Sequence, residues 1–76
     1  MTLDELRALL ASGDFHHATY RNGGTLWEGL HIYAKRTDGF RGYAHCGAFL
    51  RDDNTLKDAE ELVRGTGVSV GAYGQG

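Results

Sequence analysis

Histidines are the residues of this sequence best suited to chemistry near neutral pH. All four lie in segments with the composition of β-strands, and three of them are predicted to share one face of the sheet: His17, His31 and His45. On the strand pairing given below, His31 and His45 are direct cross-strand neighbours and His17 lies diagonal to them. Three imidazoles with an open coordination position can bind zinc. Their spacing matches no metal-binding motif, so we predict no metal or cofactor and retain the three only as the candidate set for zinc.

No other side chains are placed for catalysis. His45 and the single cysteine, Cys46, are adjacent in a strand, so their side chains point to opposite faces and the imidazole cannot activate the thiol. The Asn-Gly-Gly triplet at 22–24 precedes a strand rather than a helix, which is not the geometry of a phosphate-binding loop. Ser12 and Ser69 have no evident base. We therefore expect the protein not to be an enzyme.

The element that positions the histidines is a long predicted β-hairpin. Two runs rich in aromatic and aliphatic residues, 25–36 and 40–50, flank an Asp-Gly turn, which is a strong hairpin signal. A loop of Asp38 and Gly39 alone leaves both faces mixed, whereas a three-residue loop that adds Thr37 collects the apolar residues on one face. Burial of apolar surface, worth about 25 cal/mol per Å², favours the longer loop. Gly39 then occupies the position that requires a left-handed backbone.

This register separates apolar pairs from ring pairs. The predicted apolar pairs are Ile32–Ala44, Leu30–Cys46 and Leu26–Leu50. The predicted pairs on the opposite face are Tyr33–Tyr43, His31–His45, Gly29–Gly47 and Trp27–Phe49. Small residues in the second strand would let a helix approach closely: Gly42, Ala44, Cys46 and Ala48.

Capping signals and apolar stripes predict the helices. Thr2 and Glu5 form a capping box, and Thr55 repeats the capping pattern before a second stripe. The first hairpin has two possible registers, which place either Thr19 or Ala18 opposite Trp27. The predicted elements are a helix over 3–12, strands over 15–21, 25–36 and 40–50, a helix over 55–64 and a strand over 67–73.

These elements predict a single small α+β domain over residues 1–76, in α-β-β-β-α-β order. Each helix has one apolar stripe and the sheet has one apolar face. We therefore expect an antiparallel four-stranded sheet with both helices packed on one face. The last strand could pair with either edge of the sheet, or with another copy of the chain.

The face that the helices leave open is the predicted binding site. Its aromatic patch is larger than a soluble monomer usually exposes, although cross-strand ring pairs can also serve only to stiffen a sheet. Tyr, Trp and Arg are favoured at the energetic centres of interfaces. We predict a small non-catalytic binding protein that acts through this face, by homodimerisation or by occluding a protein partner. The predicted site residues are Trp27, His31, Tyr33, Arg41, Tyr43, His45 and Phe49.

Single-stranded nucleic acid is the alternative ligand for the same face. Its rings could stack on bases while Lys35, Arg36 and Arg41 contact phosphates. The net charge of −2 argues against a binder of duplex nucleic acid, which needs a basic surface, and leaves single strands as the nucleic-acid alternative. A protein partner is preferred. Because two opposed histidines repel when both are protonated, we expect an interface through this face to weaken below about pH 6.

Composition limits the cellular setting. The 76 residues include one cysteine, no N-terminal run typical of a signal peptide and no apolar segment long enough to cross a membrane. A lone thiol suits a reducing compartment. We expect a soluble cytoplasmic protein without disulfides or membrane contact.

Overall fold

Two helices and a three-stranded antiparallel sheet form a small α+β fold in the computed structural model, which describes residues 1–21, 28–68 and 70–73. Strand β2 lies between β1 and β3 and is antiparallel to both. A short segment, β4, adds to the free side of β1. The elements in chain order are α1 Leu3–Ser12, β1 Phe15–Arg21, β2 Gly29–Lys35, β3 Tyr43–Leu50, α2 Leu56–Arg64 and β4 Gly71–Tyr73.

Helix α1 begins at the predicted capping box. The Glu5 backbone N–H donates to Thr2 Oγ1 at 3.2 Å, and the Thr2 N–H donates to Glu5 Oε1 at 2.9 Å. These bonds satisfy two of the donors that a helix start leaves unpaired. The helix ends at Gly13, whose left-handed backbone (φ 79°) lets its N–H reach the Leu10 carbonyl oxygen.

Helix α2 starts differently from the prediction. Thr55 makes no side-chain capping bond. Instead, Asp53 Oδ1 accepts from both the Thr55 N–H at 2.9 Å and the Thr55 hydroxyl at 2.6 Å. The threonine hydroxyl is therefore occupied by the preceding turn. Thr55 still precedes the helix as its N-cap residue, because its carbonyl oxygen accepts from the Ala59 N–H at 2.9 Å, and the helix begins at Leu56.

Both helices pack on one face of the sheet. Leu6 of α1 and Ala59 and Val63 of α2 are fully buried against this face. Because all of these side chains contribute to one cluster, the two apolar stripes and the apolar sheet face form one core. Its buried residues are Leu6, Ala18, Leu30, Ile32, Phe49, Ala59 and Val63.

The β2–β3 loop is longer than the predicted three residues and spans 36–42. The Asp38 carboxylate binds the Arg36 guanidinium and accepts from the Phe40 N–H at 3.1 Å, which holds residues 38–40 in a turn. Gly39 is left-handed (φ 89°), as predicted, but Gly42 is as well (φ 101°). A left-handed residue interrupts strand pairing, so β3 begins only at Tyr43.

A β-bulge at Cys46 changes the predicted register of β3. Near the loop, Tyr33 pairs with His45; beyond the bulge, Ile32 pairs with Gly47 and Leu30 with Phe49. The predicted pairs of β2 with β3 are therefore wrong. The regular register would have given the core small residues and, at the far end of β3, Leu50, whereas the bulge turns Phe49 inward and leaves Leu50 exposed. Burying a phenylalanine side chain contributes about 1.5–3 kcal/mol, which explains why the bulged pairing is preferred.

Two predicted positions of β3 change with this register. Phe49, expected on the open face, is fully buried in the core. Cys46, expected in the core, is exposed. The small residues also do not seat a helix where we predicted, since Gly42 lies in the loop. A close approach occurs at Gly47, where a Cβ atom would lie 2.8 Å from the Cβ of Met1, but Met1 precedes α1 and is not part of the helix.

The register of β1 on β2 differs from both predicted alternatives. Thr19 pairs with His31 and Arg21 pairs with Gly29, so the connection spans 22–28 rather than two or three residues. The predicted contacts of Trp27 lie outside the described residues. A second irregularity, between Phe15 and His17, forms a bulge at His16.

The last strand is shorter than predicted and has the opposite orientation. β4 covers Gly71–Tyr73 instead of 67–73 and pairs with β1 in parallel. The expectation of an entirely antiparallel four-stranded sheet is therefore wrong, and three strands form the antiparallel part. Within the described ranges, neither helix is long and apolar enough to cross a membrane.

Candidate binding surface

Six ring side chains lie in contact on the sheet face opposite the helices. We call this surface the ring face. It includes all four histidines of the chain and two of its four tyrosines. Its members are His16, His17, His31, Tyr33, Tyr43 and His45.

The β1 bulge explains how two adjacent histidines both join this face. In a regular strand neighbouring side chains point to opposite faces, but a bulge adds a residue and redirects its side chain. His16 Nδ1 lies 2.8 Å from His17 Nδ1. The rings of both residues also contact Tyr43, with centroids 4.9 and 4.5 Å away.

Tyr33 is the centre of the ring face. It pairs with His17 on one side and with His45 on the other. Its ring stacks in parallel on His17, with centroids 4.5 Å apart and planes 1° apart. It meets Tyr43 and His45 edge-on at 5.4 and 5.3 Å. These separations are those of favourable aromatic pairs, so the rings hold one another in place.

His31 and His45 form a second histidine pair, across two strands. His31 Nδ1 lies 2.9 Å from His45 Nε2, which is a hydrogen bond only when one of these nitrogens carries the proton and the other does not. His31 is buried, at 4% exposed, whereas His45 is exposed. If both rings became imidazolium, two N–H groups would face each other and this bond would be lost.

One histidine of each pair favours the neutral form. Desolvation lowers the pKa of His45, and the nearby His31 and Arg21 lower it further. Desolvation also lowers the pKa of His17, with a further contribution from His16. Because the ordinary histidine pKa is already about 6.5, His17 and His45 are neutral at pH 7.

A shallow cavity of about 500 Å³ lies on the ring face beside the last residue of β1. It is lined by Arg21, His31, Tyr33 and His45. This volume falls within the range of about 300–1,000 Å³ typical of ligand sites. Arg21 is the last residue of β1 and its side chain is exposed. The cavity therefore combines one permanent positive charge with imidazole and phenol rings.

The predicted site residues are divided by the structure. Four of them, His31, Tyr33, Tyr43 and His45, lie together on the ring face. Phe49 is in the core, for the reason given above. Arg41 lies in the exposed 36–42 loop, and Trp27 falls outside the described residues.

Sequence reasoning missed two members of the surface. His16 lies on this face only because of the bulge, and the sequence has no turn residue beside His16 that would predict a bulge there. Arg21 could have been found, because it continues the alternate positions of β1 that carry His17 and Thr19. The assumed short turn after β1 directed attention to Trp27 instead.

The zinc candidates are not gathered around one point. The Tyr33 ring lies between His17 and His45, stacked on the first and in edge contact with the second. In the part of the chain that the structure describes, no three histidine, cysteine or acidic side chains are grouped to hold a metal ion.

Comparisons of the chain with protein-family models, with curated proteins and with solved structures found no match.

Proposed function

We propose that this chain is a small non-catalytic binding protein that contacts a protein partner through the ring face. The partner is either a second copy or a larger protein whose surface it occludes. The observation that carries this proposal is the continuous contact among six rings on the face opposite the helices. A surface of this kind offers a partner a large area with fixed geometry.

Order within the ring face supports binding. Side chains that are already held by neighbours lose little conformational freedom when a partner arrives, and this loss is one of the main costs of association. Tyr33 is held on both sides, by His17 and by His45. Tyrosine is also enriched among the residues that contribute most to binding.

Exposed apolar surface on the same face supports binding as well. Tyr43 is 51% exposed and Leu50 is 36% exposed. Leu50 lies on the ring face because its neighbour Phe49 points into the core and strand side chains alternate. Both side chains therefore have apolar area that a partner would remove from water.

Self-association is tested by sedimentation equilibrium over a wide concentration range. Tyr43→Ser should weaken a homodimer by at least about tenfold, as expected for a residue near an interface centre. Phe40→Ser is the matched control, since Phe40 is more exposed (69%) but lies in the 36–42 loop. Equal effects of the two substitutions would contradict a role for the ring face.

A monomer at all concentrations would exclude the homodimer and leave the larger partner. That version is tested by placing a photo-crosslinking amino acid at position 43 or, as control, at position 40. Crosslinked products should form from position 43 only. The same products from both positions would show that contact is not made through the ring face.

Single-stranded nucleic acid is the competing occupant of this surface. The anisotropy of a labelled oligonucleotide should not change when the protein is added at moderate salt. Salt-dependent binding that Tyr43→Ser abolishes would replace the protein partner with a nucleic acid.

A further inference from the structure

We propose that the cavity lined by Arg21, His31, Tyr33 and His45 receives a carboxylate side chain, from aspartate or glutamate, of the protein partner. This inference rests on the proposed function, because the carboxylate belongs to the protein that contacts the ring face. It adds the chemical class of the group that enters the cavity.

The donors around the cavity match a carboxylate. The Arg21 guanidinium keeps its charge at any ordinary pH, and the Tyr33 hydroxyl can donate a hydrogen bond. One imidazole of the His31–His45 pair can donate as well, since the N–H of the other is used within the pair. An ionised carboxylate only accepts hydrogen bonds, and arginine binds it through two parallel bonds. Among the described residues that line the cavity, none has an acidic side chain, so a carboxylate would meet the complementary charge of Arg21 there.

The surroundings of His45 favour the same occupant. A carboxylate placed between Arg21 and His45 would offset the guanidinium charge that disfavours the imidazolium form. Among the described residues, the pKa of His45 is lowered by its own burial and by two neighbouring groups, His31 and Arg21. The titratable and charged side chains around it on the ring face are His17 and Arg21 on β1, His31, Tyr33 and Lys35 on β2, and Tyr43 on β3.

A pH trend follows from this arrangement. If a carboxylate stabilises the imidazolium form of His45, binding takes up a proton and becomes tighter as the pH falls from 7.5 to 5.5. An interface without the carboxylate would show the opposite trend, since protonation of the histidine pairs adds like charges. The direction of the pH dependence therefore distinguishes the two kinds of contact.

Acetate is a suitable probe, because it has the chemical form of an aspartate side chain. The pKa of His45 is followed by NMR of its ring protons in increasing acetate at constant ionic strength, with acetamide as the neutral control. We expect saturating acetate to raise this pKa by about one unit, as an opposite charge at close range does. This shift corresponds to about tenfold tighter binding of acetate to the protonated form.

Substitutions assign the effect to the cavity. Arg21→Gln should abolish the shift, and Arg21→Lys should restore part of it. Lys35→Gln is the matched control, because it removes the same charge from another position on the sheet. No acetate effect on His45, or an equal effect in Arg21→Gln, would overturn the proposal.

Failure of this proposal can be told apart from failure of the proposed function. Tyr43 does not line the cavity. If Tyr43→Ser weakens partner binding but acetate does not change the pKa of His45, only the carboxylate proposal is overturned. If acetate raises the pKa of His45 but Tyr43→Ser leaves association unchanged, the anion site is supported and the binding role of the ring face is overturned.

Discussion

On the helix side of the sheet, Leu30, Ile32 and Phe49 are fully buried under two helices. On the other side, Tyr33, Tyr43 and four histidines contact one another, and they include a buried His31 and a half-exposed Tyr43. The same three strands thus carry an apolar layer that is covered by the helices and a layer of rings whose members pack against one another.

This difference separates stability from binding. Apolar burial is the dominant favourable term in folding, and on the helix side it is complete. Rings on a sheet surface contribute only about 0.2–1 kcal/mol for each cross-strand pair. We therefore expect substitutions on the helix side to change mainly the free energy of unfolding, and those on the ring face to change mainly association.

The largest effect is expected at Phe49. Phe49→Ala should lower the free energy of unfolding by about 3–5 kcal/mol, because it leaves a cavity in a close-packed core. Tyr43→Ala, one face away on the same strand, should cost less than about 1 kcal/mol. Urea denaturation measures both. Equal costs would contradict the assignment of the two faces.

A similar contrast is expected between two glycines. A Cβ atom at Gly29 would lie 2.2 Å from the Phe49 carbonyl oxygen, so Gly29→Ala must displace the backbone of β3. We expect this change to cost about 2–3 kcal/mol. At Gly39 a Cβ atom meets nothing within 4 Å, and Gly39→Ala should cost only about 1 kcal/mol for its left-handed backbone. The melting temperatures of the two variants measure this difference. A lower melting temperature for Gly39→Ala than for Gly29→Ala would contradict the β2–β3 pairing.

A smaller effect is expected at the polar edge of the core. The Tyr20 hydroxyl donates to Glu60, which also binds Arg64 at 2.7 Å. Burial, and then this hydrogen bond, raise the pKa of Tyr20 to about 12. Absorbance at alkaline pH should show one tyrosine that ionises late and is absent in Tyr20→Phe. That variant should lose about 1 kcal/mol of unfolding free energy.

The smallest effect is expected from pH. The pKa values of His17 and His45 are lowered in the folded chain, so below about pH 6.5 the unfolded chain binds more protons. The free energy of unfolding should therefore be fully retained at pH 7 and decline as the pH falls towards the folded pKa values. Denaturation between pH 7 and pH 5 should show a shallower decline in a His17→Gln, His45→Gln double variant. An unchanged slope would mean that these rings are not held neutral by the fold.

Much of the fold could be predicted, because local signals determined it. The capping box at Thr2 and the leucine spacing gave α1, and alternating residues with turn signals gave the antiparallel strands. The bulges at His16 and Cys46 could not be predicted. The bulge at Cys46 arises because Phe49 gains more by entering the core than a regular ladder would provide, which depends on packing between distant elements.

The candidate site could be predicted in part for the same reason. Tyr33, Tyr43 and His45 lie near the loop end of the hairpin, where the observed pairing preserves the predicted faces. Phe49 lies beyond the bulge, where every side chain of β3 is on the face opposite to the predicted one, so its predicted position was wrong. Arg21 was missed because the length of the β1–β2 connection was underestimated.

The central claim is that the ring face binds while the helix side stabilises, and Tyr43→Ser tests it most directly. Its free energy of unfolding and its association with the partner, or with itself, should be measured on the same preparation. We predict a change in unfolding free energy below about 1 kcal/mol and a loss of association of at least about tenfold. A clear loss of stability with unchanged association would contradict the account.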